Sequence, residues 1–304
     1  MVLCFIALPV FAILGIFSLK YRKLALESLD CMFRTVTFRK CRSGLDDRIK
    51  SRITGKMMKH SPHAAKFIYR NYKLFSWIIL LILIWSTYES GIGVYNYVQY
   101  GNCNGPESTG FCMLDPTGAY SGISETNFDM PAHSLTPVVE DNDPIIGNPD
   151  AELTIIEFGC YTCPFSKKAE PNVAEVLEYY DGRVNLQFKN FPIPSHAYSP
   201  EIAYAADCAF LQGKYKPYHD KIFELQGTLG NQDLINIASE LGLDIEKFKS
   251  CMTAETTEFE VAMDTHMGVE AGVIGTPTFF IGDKRIIGPK PFKTFKNIID
   301  EQLR

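Results

Sequence analysis

Apolar residues are unevenly spread along this chain. Two uncharged, strongly apolar runs lie in its first third, at residues 1–19 and 74–88. A transmembrane helix needs about 20 apolar residues, so the second run crosses a membrane only if it extends to about residue 98. The first run has no basic residue before it and no small-residue cleavage site after it, which favours a retained helix over a signal peptide. The pattern predicts membrane helices at 1–19 and 74–98.

Basic residues are concentrated between the two runs. Residues 20–73 hold 15 of the 30 lysines and arginines but only four acidic residues, whereas residues 101–304 hold 15 basic and 30 acidic residues. The positive-inside rule therefore predicts that 20–73 is a cytoplasmic loop and that both termini lie outside. Beside two apolar runs, attraction to anionic lipids explains such a loop better than nucleic-acid binding does.

The cysteines follow the same division. Cys4, Cys31 and Cys41 lie in the first run or the basic loop. Six others follow the second run: Cys103, Cys112, Cys160, Cys163, Cys208 and Cys251. Cytoplasmic cysteines are usually reduced, whereas an oxidising exterior supports disulfides. The six cysteines after the second run are even in number and can all pair, which fits the predicted orientation.

The chain then changes from irregular to regular patterning. Residues 99–142 are rich in glycine, proline and asparagine and predict an extracytoplasmic linker. Cys103 and Cys112 lie within it, where a local structural disulfide is a simpler interpretation than a second redox pair. Residues 143–304 predict one α/β domain. Its expected elements are a strand at 153–158, a helix from Cys163 to 180, a strand at 184–190, a mostly helical stretch at about 199–272, a hairpin of 278–281 and 285–287, and a helix at 292–303.

Two cysteines stand where the first strand of this domain gives way to its first helix. Cys160 and Cys163 form a Cys-x-x-Cys pair followed directly by Pro164. A thiol at a helix start faces unpaired N–H groups and the positive end of the helix dipole, which stabilise the thiolate. If Cys160 were the N-cap, Pro164 would lie inside the first turn and clash with it. With Cys163 as the N-cap, Pro164 takes the first helical position, which prolines favour.

The domain resembles the DsbA-like branch of the thioredoxin superfamily. The resemblance covers about residues 143–304 and rests on the cysteine pair, the helical insert and the motif Gly275-Thr276-Pro277-Thr278 before the hairpin. It implies a thioredoxin-like fold with an inserted helical subdomain and a protein thiol:disulfide oxidoreductase activity that needs no cofactor or metal.

The resemblance also implies roles for single residues. The family has an acidic residue six positions before its nucleophilic cysteine, and thioredoxins have a proline eight positions after it. In this chain Glu157 lies six positions before Cys163, and Pro171 lies eight positions after it. Cys163 is then the nucleophile. Ser166 occupies the place of the family's resolving cysteine, which is a departure from the pattern.

Three interpretations of the cysteine pair stay open. Cys160 resolves mixed disulfides formed by Cys163, or Cys163 works alone with a hydrogen bond from Ser166, or the pair is a structural staple or half a zinc site. A zinc site needs further ligands, and no ligand spacing is seen at His133, His196, His219 and His266.

Further site residues follow from the resemblance. It implies a cis peptide bond between Thr276 and Pro277 beside the nucleophile, with the neighbouring backbone offering a strand edge to a substrate peptide; cis bonds are largely a proline feature. It also implies a structural disulfide between Cys208 and Cys251. Glu157 is expected to be buried, with a raised pKa, and to exchange protons with the cysteines, although strand alternation also allows a solvated position.

Together these features predict a membrane-anchored thiol:disulfide oxidoreductase on the outer face of a prokaryotic plasma membrane. Its expected partners are secreted or membrane proteins with exposed thiols or disulfides, and a membrane redox partner if it acts as an oxidant. The alternative is a non-catalytic thioredoxin-fold module that binds peptides or serves as a scaffold.

Overall fold

The structure is a computed structural model and describes residues 3–37, 39, 44–58, 61–120, 122–125, 136–137 and 143–304. His133 and Cys41 lie outside these residues. The chain forms two units, Met1–Gly91 and Ile92–Arg304.

Helices make up the first unit. They are α1 (Leu3–Phe17), α2 (Leu19–Val36), α3 (Leu45–Met58) and α4 (Pro62–Tyr100), and the unit boundary falls within α4. Much of the predicted cytoplasmic loop 20–73 is thus helical. Cys31 is disulfide-bonded, which a reducing cytoplasm does not favour.

One described stretch, Leu74–Tyr100, is long and apolar enough to cross a membrane. It contains the predicted span 74–98 and begins just after Asn71, where the backbone of α4 leaves the helical conformation (φ −108°, ψ 16°). For the predicted span 1–19, α1 carries a shorter apolar segment, Leu8–Phe17. A second membrane span therefore stays a prediction.

The second unit is built on a mixed sheet. Its strands are β1 (Ser124–Glu125), β2 (Ile145–Ile146), β3 (Leu153–Gly159), β4 (Val184–Asn190), β5 (Gly275–Thr276), β6 (Thr278–Ile281) and β7 (Lys284–Ile287). The main sheet has the order β2-β4-β3-β6-β7, in which β3 and β4 are parallel and the other pairs antiparallel. The predicted thioredoxin-like α/β fold is confirmed.

Both faces of the central strand β3 are covered. Ile155 packs in one apolar cluster with residues of the helix after β3, while Ile156 and Phe158 pack in a second cluster that includes Cys160 and Cys163. A strand buried on both faces reads as a nearly continuous apolar run, and β3 follows this pattern except at Thr154 and Glu157. Its carboxyl end delivers the cysteine pair to the edge of the core.

Helices surround the sheet. They are α5 (Pro164–Tyr180), α6 (Ser199–Phe210), α7 (Tyr215–Glu224), α8 (Asn231–Glu240), α9 (Ile245–Met252), α10 (Glu255–Glu270) and α11 (Phe292–Gln302). The predicted insert at about 199–272 is therefore the run from α6 to α10. A disulfide between Cys208 and Cys251 joins α6 to α9 across 43 residues, a loop length worth roughly 4 kcal/mol in the chain-entropy description.

The start of the predicted linker 99–142 is folded onto this unit. A disulfide joins Cys103 to Cys112, and the N–H of Ile287 donates to the carbonyl of Pro106 (3.1 Å). The buried ammonium of Lys290 donates to the carbonyl of Tyr120. The glycine and proline content of this segment predicted a tether, because local composition does not indicate contacts with residues that are distant in the sequence.

Candidate functional site: a buried cysteine pair

A tight turn carries the two cysteines. The N–H of Cys163 donates to the carbonyl of Cys160 (2.9 Å), and Cys163 is the N-cap of α5 with Pro164 as its first residue. The frame predicted from Pro164 is confirmed. The side-chain amide of Gln226 donates to the carbonyls of Tyr161 (2.7 Å) and Cys163 (2.9 Å), and so fixes the turn. Both cysteines are free thiols.

The sulfur of Cys163 faces the loop that precedes the hairpin. The peptide bond between Thr276 and Pro277 is cis, and the thiol of Cys163 donates to the carbonyl of Thr276 (3.3 Å). The hydroxyl of Ser124 lies 3.1 Å from the same sulfur. Cys163 is fully buried in this arrangement, with Ser124 and the Thr276 carbonyl against its sulfur.

The sulfur of Cys160 contacts a different set of side chains. It lies 3.1 Å from the Thr162 hydroxyl, 3.2 Å from the Ser199 hydroxyl and 3.6 Å from Nδ1 of His196. Burial opposes ionisation of this thiol, but the hydrogen bonds from these side chains and from the Ile193 backbone outweigh it, and the pKa of Cys160 falls from 9.0 to about 7. The hydrogen bond to Cys160 in turn raises the pKa of His196 against the effect of burial.

The loop that carries His196 is held at both ends. At the end of β4, the N–H of Asn190 donates to Asp264 of α10 (2.7 Å), and its side-chain amide donates to Asp207 of α6 (2.8 Å). At the start of α6, the hydroxyl of Ser199 accepts the N–H of Ile193 (3.1 Å). The polar groups around Cys160 therefore belong to the folded core of the unit.

Ser166 contributes to the shape of the turn. Its hydroxyl is fully buried and accepts the N–H of Cys160 (3.3 Å). The hydrogen bond to Cys163 suggested for the single-cysteine interpretation is replaced by this contact. A small hydroxyl at this position thus orients Cys160 instead of meeting the sulfur of Cys163.

Glu157 is fully buried, as predicted for the family position. Neither carboxyl oxygen has a hydrogen-bond partner. Burial, then the charges of Glu170 and Cys163, raise the pKa of Glu157 well above its ordinary value of 4.5. The raised pKa favours the protonated form of this side chain, which can give up or take a proton within β3.

Replacement of Glu157 by glutamine is expected to flatten the pH dependence of stability. The folded chain keeps this proton over a pH range in which the unfolded chain has lost it, so stability falls as pH rises from 4.5 towards the folded-state pKa, by on the order of 1 kcal/mol per pH unit. The Glu157→Gln variant lacks that term and should gain stability over wild type at neutral pH but little at about pH 5. Unfolding followed by circular dichroism at both values tests this; an equal change at both contradicts it.

A cavity of about 430 Å³ opens beside the Cys160 side of the turn. Its lining includes Tyr161, Thr162, His196, Tyr198 and Leu229. Two groups that hydrogen-bond the Cys160 sulfur thus form part of its wall. Among the described residues, no three His, Cys, Asp or Glu side chains are grouped so that they could hold a metal ion.

Sequence reasoning placed both cysteines, Glu157 and the cis bond at one site but missed the partners of each sulfur. Ser199 and Thr162 carried no signal of their own, and Ser124 lies in a segment without periodicity. His196 was considered only as a metal ligand. The pattern that could have indicated a functional role for His196 is its place in a proline-containing loop, residues 191–198, directly after a buried strand.

Comparisons with known proteins agree with the fold. A family profile described as Thioredoxin matches residues 140–301. A thioredoxin-like oxidoreductase from Silicibacter pomeroyi DSS-3 is similar in structure, with 29% identity, a TM-score of 0.51 and coverage of 54% of this chain and 94% of that one. Oxidised BdbD from Bacillus subtilis has 24% identity and a TM-score of 0.50 over 56% of this chain and 97% of its own.

Curated relatives are much longer. The Na(+)/H(+) antiporter NhaA 1 of Salinispora arenicola is 32% identical over 168 residues, which cover 55% of this chain and 25% of the antiporter. The chain spans about a quarter of the length of the curated relatives it matches. The similarity therefore concerns one part of those proteins.

Proposed function

This chain belongs to the thioredoxin family, with a helical insertion of the DsbA-like kind, and from that premise we propose that it is a protein thiol:disulfide oxidoreductase. Cys163 is the nucleophile and Cys160 the resolving thiol. The observation that carries the proposal is the environment of Cys160: a buried thiol, three residues before the N-cap cysteine, held near a pKa of 7 by three side chains.

In the reducing direction, the thiolate of Cys163 attacks one sulfur of a substrate disulfide. This forms a mixed disulfide and releases the first substrate thiol. The thiolate of Cys160 then attacks the sulfur of Cys163 and releases the second. The substrate gains two electrons, the cysteine pair becomes a disulfide, and the reverse sequence oxidises a substrate dithiol.

Protons are handled on both sides of the turn. At neutral pH about half of Cys160 is thiolate, because its pKa is about 7, and His196 accepts or returns its proton. Glu157, whose raised pKa depends in part on the charge of Cys163, is assigned the same task for that sulfur. Thr276 and Pro277 shape the surface at which the substrate meets Cys163.

The proposed location is the outer face of a plasma membrane, with membrane spans at 1–19 and 74–98 and the basic segment 20–73 inside. The excess of lysine and arginine in 20–73 supports this orientation, although the Cys31 disulfide does not. The disulfides Cys103–Cys112 and Cys208–Cys251 support an oxidising compartment for the second unit. Substrates are then secreted or membrane proteins, and an oxidising role requires a membrane partner that removes electrons.

Insulin reduction by the full chain in detergent, with dithiothreitol as reductant, tests the activity. Cys163→Ser is expected to lower the rate to the background given by dithiothreitol alone, because a hydroxyl cannot form the mixed disulfide. An unchanged thermal midpoint of the variant shows that the fold is intact. Insulin reduction at the dithiothreitol background in both wild type and Cys163→Ser would favour the non-catalytic module instead, and a wild-type rate above that background in Cys163→Ser would remove Cys163 from the mechanism.

A further inference from the structure

Residues 122–125 lie on the strand edge next to the cis bond. Ser124 pairs with Thr276 and Glu125 with Gly275 in an antiparallel ladder. The Ser124 hydroxyl reaches to 3.1 Å from the sulfur of Cys163. We propose that the 122–125 segment is a built-in substitute for substrate, and that a substrate peptide binds this edge antiparallel, in the same register, after displacing it. The inference rests on the proposed function and names the peptide that this site takes.

The register assigns the position of the substrate cysteine. Ser124 is the residue of the segment whose side chain meets Cys163, and serine differs from cysteine by one atom, oxygen in place of sulfur. A substrate sulfur in the place of this oxygen lies next to the nucleophile. The hydroxyl cannot be attacked by a thiolate to form a disulfide, so the segment fills the site without being consumed.

The flanking contacts indicate which residues fit around that cysteine. A Cβ atom on Gly122 would lie 2.2 Å from the ring of Phe165, so a larger residue there requires that ring to move and glycine is favoured. The side chain of Ile123 covers Gly275: a Cβ atom on Gly275 would lie 2.7 Å from Cδ1 of Ile123. An aliphatic side chain therefore fits over that glycine. Glu125 is exposed. The favoured substrate is an extended peptide with glycine two residues before the cysteine and an aliphatic residue directly before it.

The pairing is short enough to be displaced. The ladder involves two residues on each strand, and a strand edge is a surface to which an added peptide can pair. When a site is free only part of the time, the apparent affinity of its ligand falls by the free fraction. Release of the segment should therefore improve substrate binding without changing the chemistry that follows.

The position of Ser124 is tested by a cross-link in the full chain. In a Cys160→Ala background, Ser124→Cys is treated with oxidised glutathione. The introduced thiol and Cys163 lose two electrons and two protons to one glutathione disulfide, which becomes two thiols. Mass spectrometry should find most of the protein with a disulfide between the introduced cysteine and Cys163. The matched control is Ser239→Cys on the exposed surface of α8, which should carry no such link. Glutathionylated Cys163 without the cross-link would overturn the proposal.

Displacement is tested with a defined probe, the disulfide-linked dimer of acetyl-Gly-Ile-Cys-Glu-amide, reduced by the full chain with dithiothreitol. Ser124→Pro removes the backbone N–H of the ladder residue and should lower KM for this dimer about tenfold with kcat unchanged. Ser239→Ala on the exposed surface of α8 leaves the segment and its ladder intact and should leave KM near the wild-type value. For the disulfide-linked dimer of the peptide with the reversed sequence, KM should change little in either variant.

The outcomes separate the two proposals. A cross-link together with an unchanged KM in Ser124→Pro would overturn displacement but leave the proposed function intact. Absence of turnover with either peptide in wild type and in both variants would overturn the proposed function and displacement with it, while the cross-link would still report the position of Ser124. A lower KM confined to Ser124→Pro supports both.

Discussion

Replacement of Cys160 by alanine is expected to slow turnover of insulin or of a peptide disulfide by at least about 100-fold, because resolution then depends on thiols from solution. A thiol three residues away on the same turn acts at an effective concentration far above the millimolar thiol of an assay. Cys163 should accumulate in mixed disulfides with its substrates. These adducts are visible by mass spectrometry and by non-reducing gel electrophoresis, and they disappear on treatment with excess reductant.

Two further variants sharpen this test. Ser239→Ala, an exposed change of similar size on α8, should turn over at the wild-type rate. Ser166→Cys in the Cys160→Ala background supplies a thiol at the family's usual resolving position and should restore part of the lost turnover. Rapid turnover by Cys160→Ala alone, without adducts, would remove Cys160 from the mechanism and favour the single-cysteine interpretation.

The fold of the second unit was predictable because its signals are local. Apolar runs of strand length, such as that of β3, bounded by turns and separated by helical spacing, give the element order directly. The working frame of the cysteine pair was predictable for the same reason. Pro164 lacks an N–H and has a fixed φ, so it selects Cys163 as the N-cap without knowledge of the rest of the chain.

The partners of the two sulfurs were not predictable in this way. His196 and Ser199 meet Cys160 across 36 and 39 residues, and Ser124 meets Cys163 across 39 residues. Such contacts depend on where the loop after β4 and the segment before the domain are packed. No periodicity or spacing in the sequence records them.

The same distinction explains the segment 99–142. Its glycines and prolines correctly indicate the absence of long helices and strands in the described part, but they do not distinguish a tether from an irregular segment packed on a domain. The pairing of β1 with β5 joins residues about 150 positions apart. It places a serine of the predicted linker at the nucleophile, which links the least regular part of the second unit to its chemistry.

The electrostatics of the site fit the different tasks proposed for the two cysteines. Cys163 stands at the helix start beside the substrate edge, which suits the first attack. Cys160 is enclosed by hydrogen-bonding groups that stabilise its thiolate, which suits the second attack from within the protein. In the proposed mechanism the departure at Ser166 is compensated upstream, since its hydroxyl accepts the backbone N–H of Cys160 and so orients the thiol proposed to replace the usual resolving cysteine.

Replacement of His196 by phenylalanine is expected to raise the pKa of Cys160 by about one unit from its value of about 7. Of the side chains that lower this pKa, His196 has the largest effect. The ultraviolet absorbance of the thiolate, measured against pH in a Cys163→Ser background with a Cys160→Ala, Cys163→Ser chain subtracted, gives the midpoint. At neutral pH the thiolate fraction should fall severalfold, up to about tenfold well below the midpoint.

The effect of His196→Phe on turnover should be smaller than its effect on ionisation. A thiolate of higher pKa is a stronger nucleophile, with a Brønsted coefficient of about 0.5, so a tenfold loss of thiolate is offset about threefold and resolution slows only about threefold. The loss should turn into a gain of about threefold as pH rises well above the new midpoint, because Cys160 is then fully ionised in both proteins and the thiolate of the variant is the stronger nucleophile. A purely structural role for His196 predicts instead a loss that is equal at all pH values, and an unchanged titration midpoint would show that the thiolate of Cys160 is stabilised without this imidazole.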